Sequence, residues 1–224
     1  MNVILCTEII HTFRERSIVF FLFKNIVMID LNILLAWGGT YKSFKEGELI
    51  FEEGSHCSCY HQLVEGKVKW INYNDEGKEF IQNLIDPGES FGEIPLFDDE
   101  PYVANAVAIE DSLVIKLPKH LFLQLLKENA DLSFRFCTMM ANRMRYKFML
   151  LKTNAFENPE NRVTALLNYY KKRNCMQNQS SLKVNLTRQQ IANMTGLRVE
   201  TVIRTIRNLN ERGELDIKNG KVFI

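Results

Sequence analysis

Within residues 187–213, TRQQIANMTGLRVETVIRTIRNLNERG, the side chains of Arg198, Val199, Glu200, Ile203 and Arg204 fall on one face of a short helix. Their types are those that read base edges. An arginine bonds guanine bidentately, a glutamate accepts from the cytosine amino group, and an aliphatic chain packs on the thymine methyl, all in the major groove. Arg207 shares that outward face, while Val202, Ile206 and Leu209 recur at spacings of four and three as the stripe to be buried. Just upstream, Thr187, Arg188 and Gln189 open the preceding helix, where free N–H groups and the helix dipole favour a phosphate; they would fix register without selecting bases. An amphipathic helix pair with a merely solvated face has the same polarity. The agreement of caps, turn glycine, helix lengths and outward residue types separates the two readings.

The elements that must position these groups are marked locally. Thr187 is a good N-cap, Gln190 completes a capping box, and Leu186 with Ile191 forms a hydrophobic staple. The first helix is expected to end near Met194, and Gly196 permits the tight turn into the second. Arg198 is a poor N-cap for that second helix. Gly213 is placed to end it, and ELDIKNGKVFI alternates around Asn219-Gly220 as a small hairpin wing. From residue 155 onward there are 12 Lys and Arg against 6 Asp and Glu, and before it 16 against 21, so a +6 segment follows a −5 segment. The basic part is the one expected to meet phosphates.

A second constellation is His56, Cys57, Cys59 and His61. If extended, that segment projects Cys57, Cys59 and His61 from one face, a donor set suited to zinc or another transition metal, with the two thiols as a redox pair. The opposing reading is a set of free, inert cysteines in a reducing compartment, since no C-x-x-C turn is present. The two histidines do not supply the metal pattern of a cupin-type enzyme, two histidines one residue apart followed by glutamate.

In the front half Gly54, Gly66, Gly77 and Gly88 fall 12, 11 and 11 residues apart between the runs YHQLVEG, KVKWINY and KEFIQNLI, which predicts a small all-β sandwich or barrel. Residues 129–153 lack Gly and Pro, so a helix of nearly 40 Å, about 1.5 Å per residue, is predicted there. Phe136, Met140, Met144, Phe148 and Leu151 would share one face, seeking either a second subunit or the chain's own roll. NAFENPEN at 154–161 is expected to be a hinge, with Pro159 starting a new helix. The expected division is thus an extension at 1–27, the roll at 28–128, the helix at 129–153, the hinge, and a winged helix-turn-helix at 162–224. In the extension, SIVFFLF follows Arg14 and Arg16 but is interrupted by Lys24 and has no small-residue cleavage site, which supports neither a signal peptide nor a spanning helix. Met28 is read as an alternative initiator. With 46% hydrophobic residues, two modest cores are within reach and nothing suggests disorder.

A β-rich front half, a long helix and the string TRQQIANMTGLRVETVIRTIRNL together resemble the Crp/Fnr superfamily of bacterial transcription regulators over about residues 40–224, and FGEIPLF at 91–97 resembles its effector-pocket signature. The resemblance implies an α+β fold: a double-stranded β-helix (jelly-roll) domain of the cyclic-nucleotide-binding kind, a dimerisation helix and a C-terminal winged helix-turn-helix. It implies a cytoplasmic homodimer that binds an inverted repeat in double-stranded DNA, an activator more than a repressor, meeting RNA polymerase, with no membrane and no enzymatic role. In cyclic-AMP-binding members a glutamate holds the ribose, an Arg-Ser pair the cyclic phosphate and a Thr-Ser pair the adenine. Glu93 matches the first; Val103-Ala104 and Lys147-Phe148 stand at the others. Without the arginine, the charge-assisted contact to a buried phosphate is missing, so cyclic AMP is not expected to bind in that mode. Glu93 would otherwise be a turn residue bonded to backbone amides. Cys6, Cys57, Cys59, Cys137 and Cys175 do not reproduce the family's iron–sulfur pattern, so no cofactor is expected and the effector stays unassigned. Val199 resembles the Fnr-like members, which implies a TTG-type half-site, although Ile203 stands where Fnr has serine. The alternatives are a metal- or redox-responsive regulator using Cys57, Cys59 and His61, and a small-molecule-binding protein without DNA function.

Overall fold

Gly54, Gly66, Gly77 and Gly88 all adopt positive φ, between 75° and 88°, in a computed structural model that describes residues 28–174 and 182–224. Glycine enters that region without steric cost, so each can turn the chain between strands. The strands so separated are β1 (Thr40–Phe44), β2 (Leu49–Phe51), β3 (Cys59–Glu65), β4 (Val68–Tyr73), β5 (Glu79–Ile85), β6 (Ser90–Phe91), β7 (Asn105–Ala108) and β8 (Ser112–Pro118). They form two four-stranded sheets, ordered β1-β8-β3-β6 and β2-β7-β4-β5. First pairs with eighth, second with seventh, third with sixth and fourth with fifth, the nested order of a long hairpin rolled on itself; that is a jelly roll. Helix α1 (Leu31–Ala36) precedes it, α2 (Ile94–Asp98) follows β6, and α3 (Lys119–Glu128) leaves β8.

Strand β3 shows where the roll keeps its core. Tyr60, His61, Gln62 and Leu63 are all buried, so both faces of the strand are covered. On one face Tyr60 stacks on Phe122 of α3 at 4.6 Å, and Gln62 exchanges hydrogen bonds with the backbone of Ile29, accepting from its N–H at 3.0 Å and donating to its carbonyl at 2.8 Å. On the other, His61 meets Phe51 and Phe91 with ring centroids 5.4 and 5.5 Å apart.

The chain divides into two compact units. Residues up to 70 and 84–136 form one; residues 71–83, the outer part of the β4–β5 hairpin, group with 137–224 in the other. The latter contains most of α4 (Ala130–Phe156), then α5 (Pro159–Asn174), β9 (Lys183–Val184), α6 (Arg188–Thr195), α7 (Val199–Glu211) and the antiparallel wing β10 (Asp216–Lys218) and β11 (Lys221–Phe223), ordered β10-β11-β9. Two expectations are corrected. Helix α4 runs to Phe156 rather than Thr153, so the hinge expected at 154–161 shrinks to Glu157 and Asn158 between helices. The junction is also tied: Asn158 Oδ1 accepts from the N–H of Asn161 at 2.9 Å, Pro159 starts α5, and Arg162 Nε donates to the Glu157 carbonyl at 3.0 Å. An N-cap and a helix-starting proline leave no extended linker. The initiator question and the SIVFFLF segment lie outside the described residues, as do Cys6 and Cys175.

Candidate nucleic-acid interface

The helix pair is held by local chemistry. Thr187 Oγ1 accepts from the N–H of Gln190 at 3.0 Å, while Gln190 Oε1 accepts from the N–H of Thr187 at 2.8 Å, so the box satisfies two helix-end donors reciprocally. Helix α6 ends at Gly196, whose φ of 69° is left-handed, and α7 begins three residues on. Arg198, the N-cap of α7, makes no side-chain cap bond. Val202, Thr205, Ile206 and Leu209 are buried, which fixes the helix's rotation; Arg198, Glu200, Ile203, Arg204 and Arg207 are exposed and Val199 is half-buried. Tyr146 of α4 stacks on Tyr169 of α5 at 4.2 Å, and the Tyr170 hydroxyl of α5 donates to Met194 Sδ of α6 at 3.9 Å.

The residues expected at phosphates differ in freedom. Thr187 is exposed, Gln189 is exposed and donates from Nε2 to Asn193 Oδ1 at 2.7 Å, and Arg188 is half-buried, reaching the Gly220 carbonyl in the wing turn at 3.5 Å. The wing turns on Asn219 and Gly220, both at positive φ, with Lys218 and Lys221 paired across it. Sequence reasoning missed Arg212, which forms ion pairs with Glu160 and Glu214 and so ties the end of α7 to the start of α5.

The apolar stripe on α4 needs correcting. Phe136 is 2% exposed, inside an aromatic cluster with Tyr60 and Phe122 of the chain's own roll, and Met140 is half-buried. Successive steps of four residues advance about 40° around a helix with 3.6 residues per turn, so a stripe at that spacing drifts off its face. Met144, Phe148 and Leu151 are 60%, 65% and 67% exposed. With them, Phe134, Cys137, Ala141 and Ala155 are also exposed, and the seven follow the alternating three–four spacing of a coiled-coil seam.

Of the residues that the effector-pocket signature marks, Glu93 and Ala104 are buried in the roll. Glu93 makes no cap bond to backbone; Ser90 Oγ donates to its Oε1 at 3.0 Å. Val103 is half exposed. The Phe51 ring lies against Gly92 so closely that a Cβ there would meet Phe51 Cζ at 2.6 Å, and Tyr102 stacks on Phe51 at 3.8 Å. Lys147 and Phe148 belong to the other unit, where Lys147 Nζ donates to the Gln82 carbonyl and side-chain oxygen; burial, with the charge of Arg143, lowers its pKa to about 8.

The donor set Cys57, Cys59 and His61 does not assemble. Strand β3 begins only at Cys59, so Cys57 lies before it, buried, its thiol bonded to the Cys59 carbonyl and pushed up in pKa by burial. His61 turns into the aromatic interior, where burial, aided by Lys116 and Lys42, lowers its pKa to about 3. Among the described residues no three His, Cys, Asp or Glu side chains are grouped to hold a metal, and no helix is long and apolar enough to cross a membrane.

Residues 41–129 match the family model of the cyclic nucleotide-binding domain and residues 161–224 that of the Crp-like helix-turn-helix domain. The chain is 27% identical over 204 residues to the cyclic AMP receptor protein of Thermus thermophilus, covering 91% of each. It is 25% identical over 183 residues to a CRP-like cAMP-activated global transcriptional regulator of Mycobacterium tuberculosis, covering 81% of this chain and 82% of that one. Its fold is that of FixK2 from Bradyrhizobium japonicum, with a TM-score of 0.70 at 21% identity over 83% of this chain and 91% of that one. A CooA mutant from Carboxydothermus hydrogenoformans gives 0.71 at 16% identity, over 86% and 85%.

Proposed function

From the premise that this chain belongs to the Crp/Fnr superfamily of DNA-binding transcription regulators, we propose that it works as a homodimer on an inverted-repeat operator, with one α7 in each major groove. The observation that carries this reading is the outward set on α7: Arg198, Glu200, Ile203 and Arg204 exposed on a helix whose opposite face is fully packed. Rigid backing turns these side chains into a directed pattern of donors, acceptors and methyl contacts. Val199 joins them from the half-buried edge of the face, and a TTG-type half-site follows from its likeness to Fnr-like members. Thr187, Arg188 and Gln189 hold phosphates on the flank. The seam from Phe134 to Ala155 supplies the second subunit's contact, and a twofold pair of α7 helices matches half-sites about 34 Å apart.

Activation through RNA polymerase, in the cytoplasm, is the role that the superfamily resemblance implies by analogy. Cyclic AMP is not its effector by the usual mode. Val103 and Ala104 offer no guanidinium or hydroxyl to a cyclic phosphate, and Phe51 and Tyr102 fill the space against Gly92 in the segment that resembles the effector signature. Replacing Arg204 with Ala tests the base-reading role: affinity for the preferred operator should fall by about 1–3 kcal/mol with little change on random duplex. An equal loss on both would remove Arg204 from the base readers.

A further inference from the structure

The β4–β5 hairpin is part of the roll by chain order, yet its residues 71–83 group with the DNA-binding unit. Two sets of hydrogen bonds accompany that grouping. At one strand position Lys147 of α4 donates to the Gln82 carbonyl at 3.0 Å and to the Gln82 side-chain oxygen, while Gln82 Nε2 donates to Asn72 Oδ1 across the hairpin at 2.8 Å. At the start of β5, Glu79 Oε1 accepts from Asn193 Nδ2 of α6 at 2.9 Å, over a sequence separation of 114. Asn193 in turn accepts at Oδ1 from Gln189 Nε2.

We propose that Glu79 is a positioning residue for DNA binding, orienting the phosphate-facing amide of Gln189 through Asn193. The argument is one of hydrogen-bond polarity. A carboxylate only accepts, so Asn193 must turn its NH2 toward Glu79 and its oxygen toward Gln189. That makes the Gln189 NH2, rather than its oxygen, the group held by Asn193, and leaves the second N–H of that amine as a donor. Gln189 is the second residue of α6, where a phosphate is already favoured by the helix end. With Asn193 fixed by Glu79, the Gln189 amide is held in one orientation, with one N–H committed to Asn193 and the other left to donate. The hairpin thus fixes the position of a donor at the DNA surface, and its attachment to α4 by Lys147 keeps Glu79 in register with α6. The inference rests on the DNA-binding reading above and deepens it.

The experiment uses the full-length protein and two duplexes of equal length, one carrying the inverted repeat that the wild type recovers from a random library and one of random sequence. A phosphate contact is blind to sequence, so Glu79→Ala should weaken binding to both by about three- to tenfold, the range of one hydrogen bond. Glu79→Gln, which keeps an acceptor oxygen, should recover most of that. In a Gln189→Ala background, Glu79→Ala should cost nothing further, because the two act in one chain. Backbone amides of residues 188–193 should exchange faster in Glu79→Ala than in Glu79→Gln, read without DNA. Unchanged affinity in Glu79→Ala, or losses that multiply in the double variant, would overturn the inference alone. Failure of the wild type to bind either duplex would overturn the DNA-binding reading and this inference together.

Discussion

In the winged helix-turn-helix the charged side chains stand outside a packed stripe of Val202, Ile206 and Leu209, whereas in the roll Ser90 and Glu93 are buried on either side of Gly92, against which Phe51 and Tyr102 pack. Both regions are well packed. What differs is where the hydrogen-bonding capacity goes: α7 keeps it on an exposed face, while the roll buries it, with Ser90 donating to Glu93, Gln62 exchanging bonds with Ile29, and His61 Nδ1 enclosed without a hydrogen bond among the described residues. A match to a ligand-binding domain model over residues 41–129 shows the domain and does not by itself name a ligand.

The largest expected effect tests the closed interior. Phe51→Ala removes a ring packed against Gly92, His61, Phe91 and Tyr102 and should destabilise the protein by about 3–5 kcal/mol in denaturant unfolding. A loss below about 1 kcal/mol would mean that the ring's place is loosely filled, and the contrast with α7 would weaken.

Next comes the exposed seam. Phe148→Glu and Met144→Glu should shift the protein from dimer to monomer in sedimentation at micromolar concentration and weaken operator binding, since each places a charge in an apolar coiled-coil position. Phe136→Leu, a change inside the subunit's own aromatic cluster, should leave the dimer intact. A dimer that survives both charges would send the subunit contact elsewhere.

The smallest at any one step is a pH effect confined to the roll, which is absent at neutral pH and accumulates gradually in acid. His61 titrates near 6.5 when unfolded and near 3 when folded, because burial penalises its charged form. The unfolded chain therefore binds the extra proton between those values; the stability due to a neutral His61 is complete above about pH 6.5 and is lost as pH falls toward 3. The folding equilibrium should fall by up to tenfold per pH unit in that window from this residue, and His61→Asn should flatten the slope. Identical slopes in the two proteins would show that His61 does not carry the acid sensitivity.

Much of the DNA-binding domain was legible in the sequence because its signals are short-range. Thr187 and Gln190 are three residues apart, Gly196 follows its helix directly, and the stripe on α7 needs only thirteen residues to declare itself. The roll was legible as turns at glycines, but not as a filled interior, which depends on Phe51, Phe91 and Tyr102 meeting across three segments. The stripe on α4 misled at Phe136 because apolar residues at steps of four look continuous in sequence while turning around the helix. The hinge was read too long because Asn154, Ala155 and Phe156 continue the helix once its preceding turns are packed. The bond between Glu79 and Asn193 had no local signal at all.

The central claim is that α7 reads sequence as one of a twofold pair. Selection from a random duplex library by the full-length protein, at moderate salt in reducing buffer without added effector, tests it most directly. The account predicts enrichment of an inverted repeat with half-sites about one helical turn, roughly 34 Å, apart. Salt-sensitive retention of duplex with no sequence enriched, or no retention under any condition tried, would contradict it.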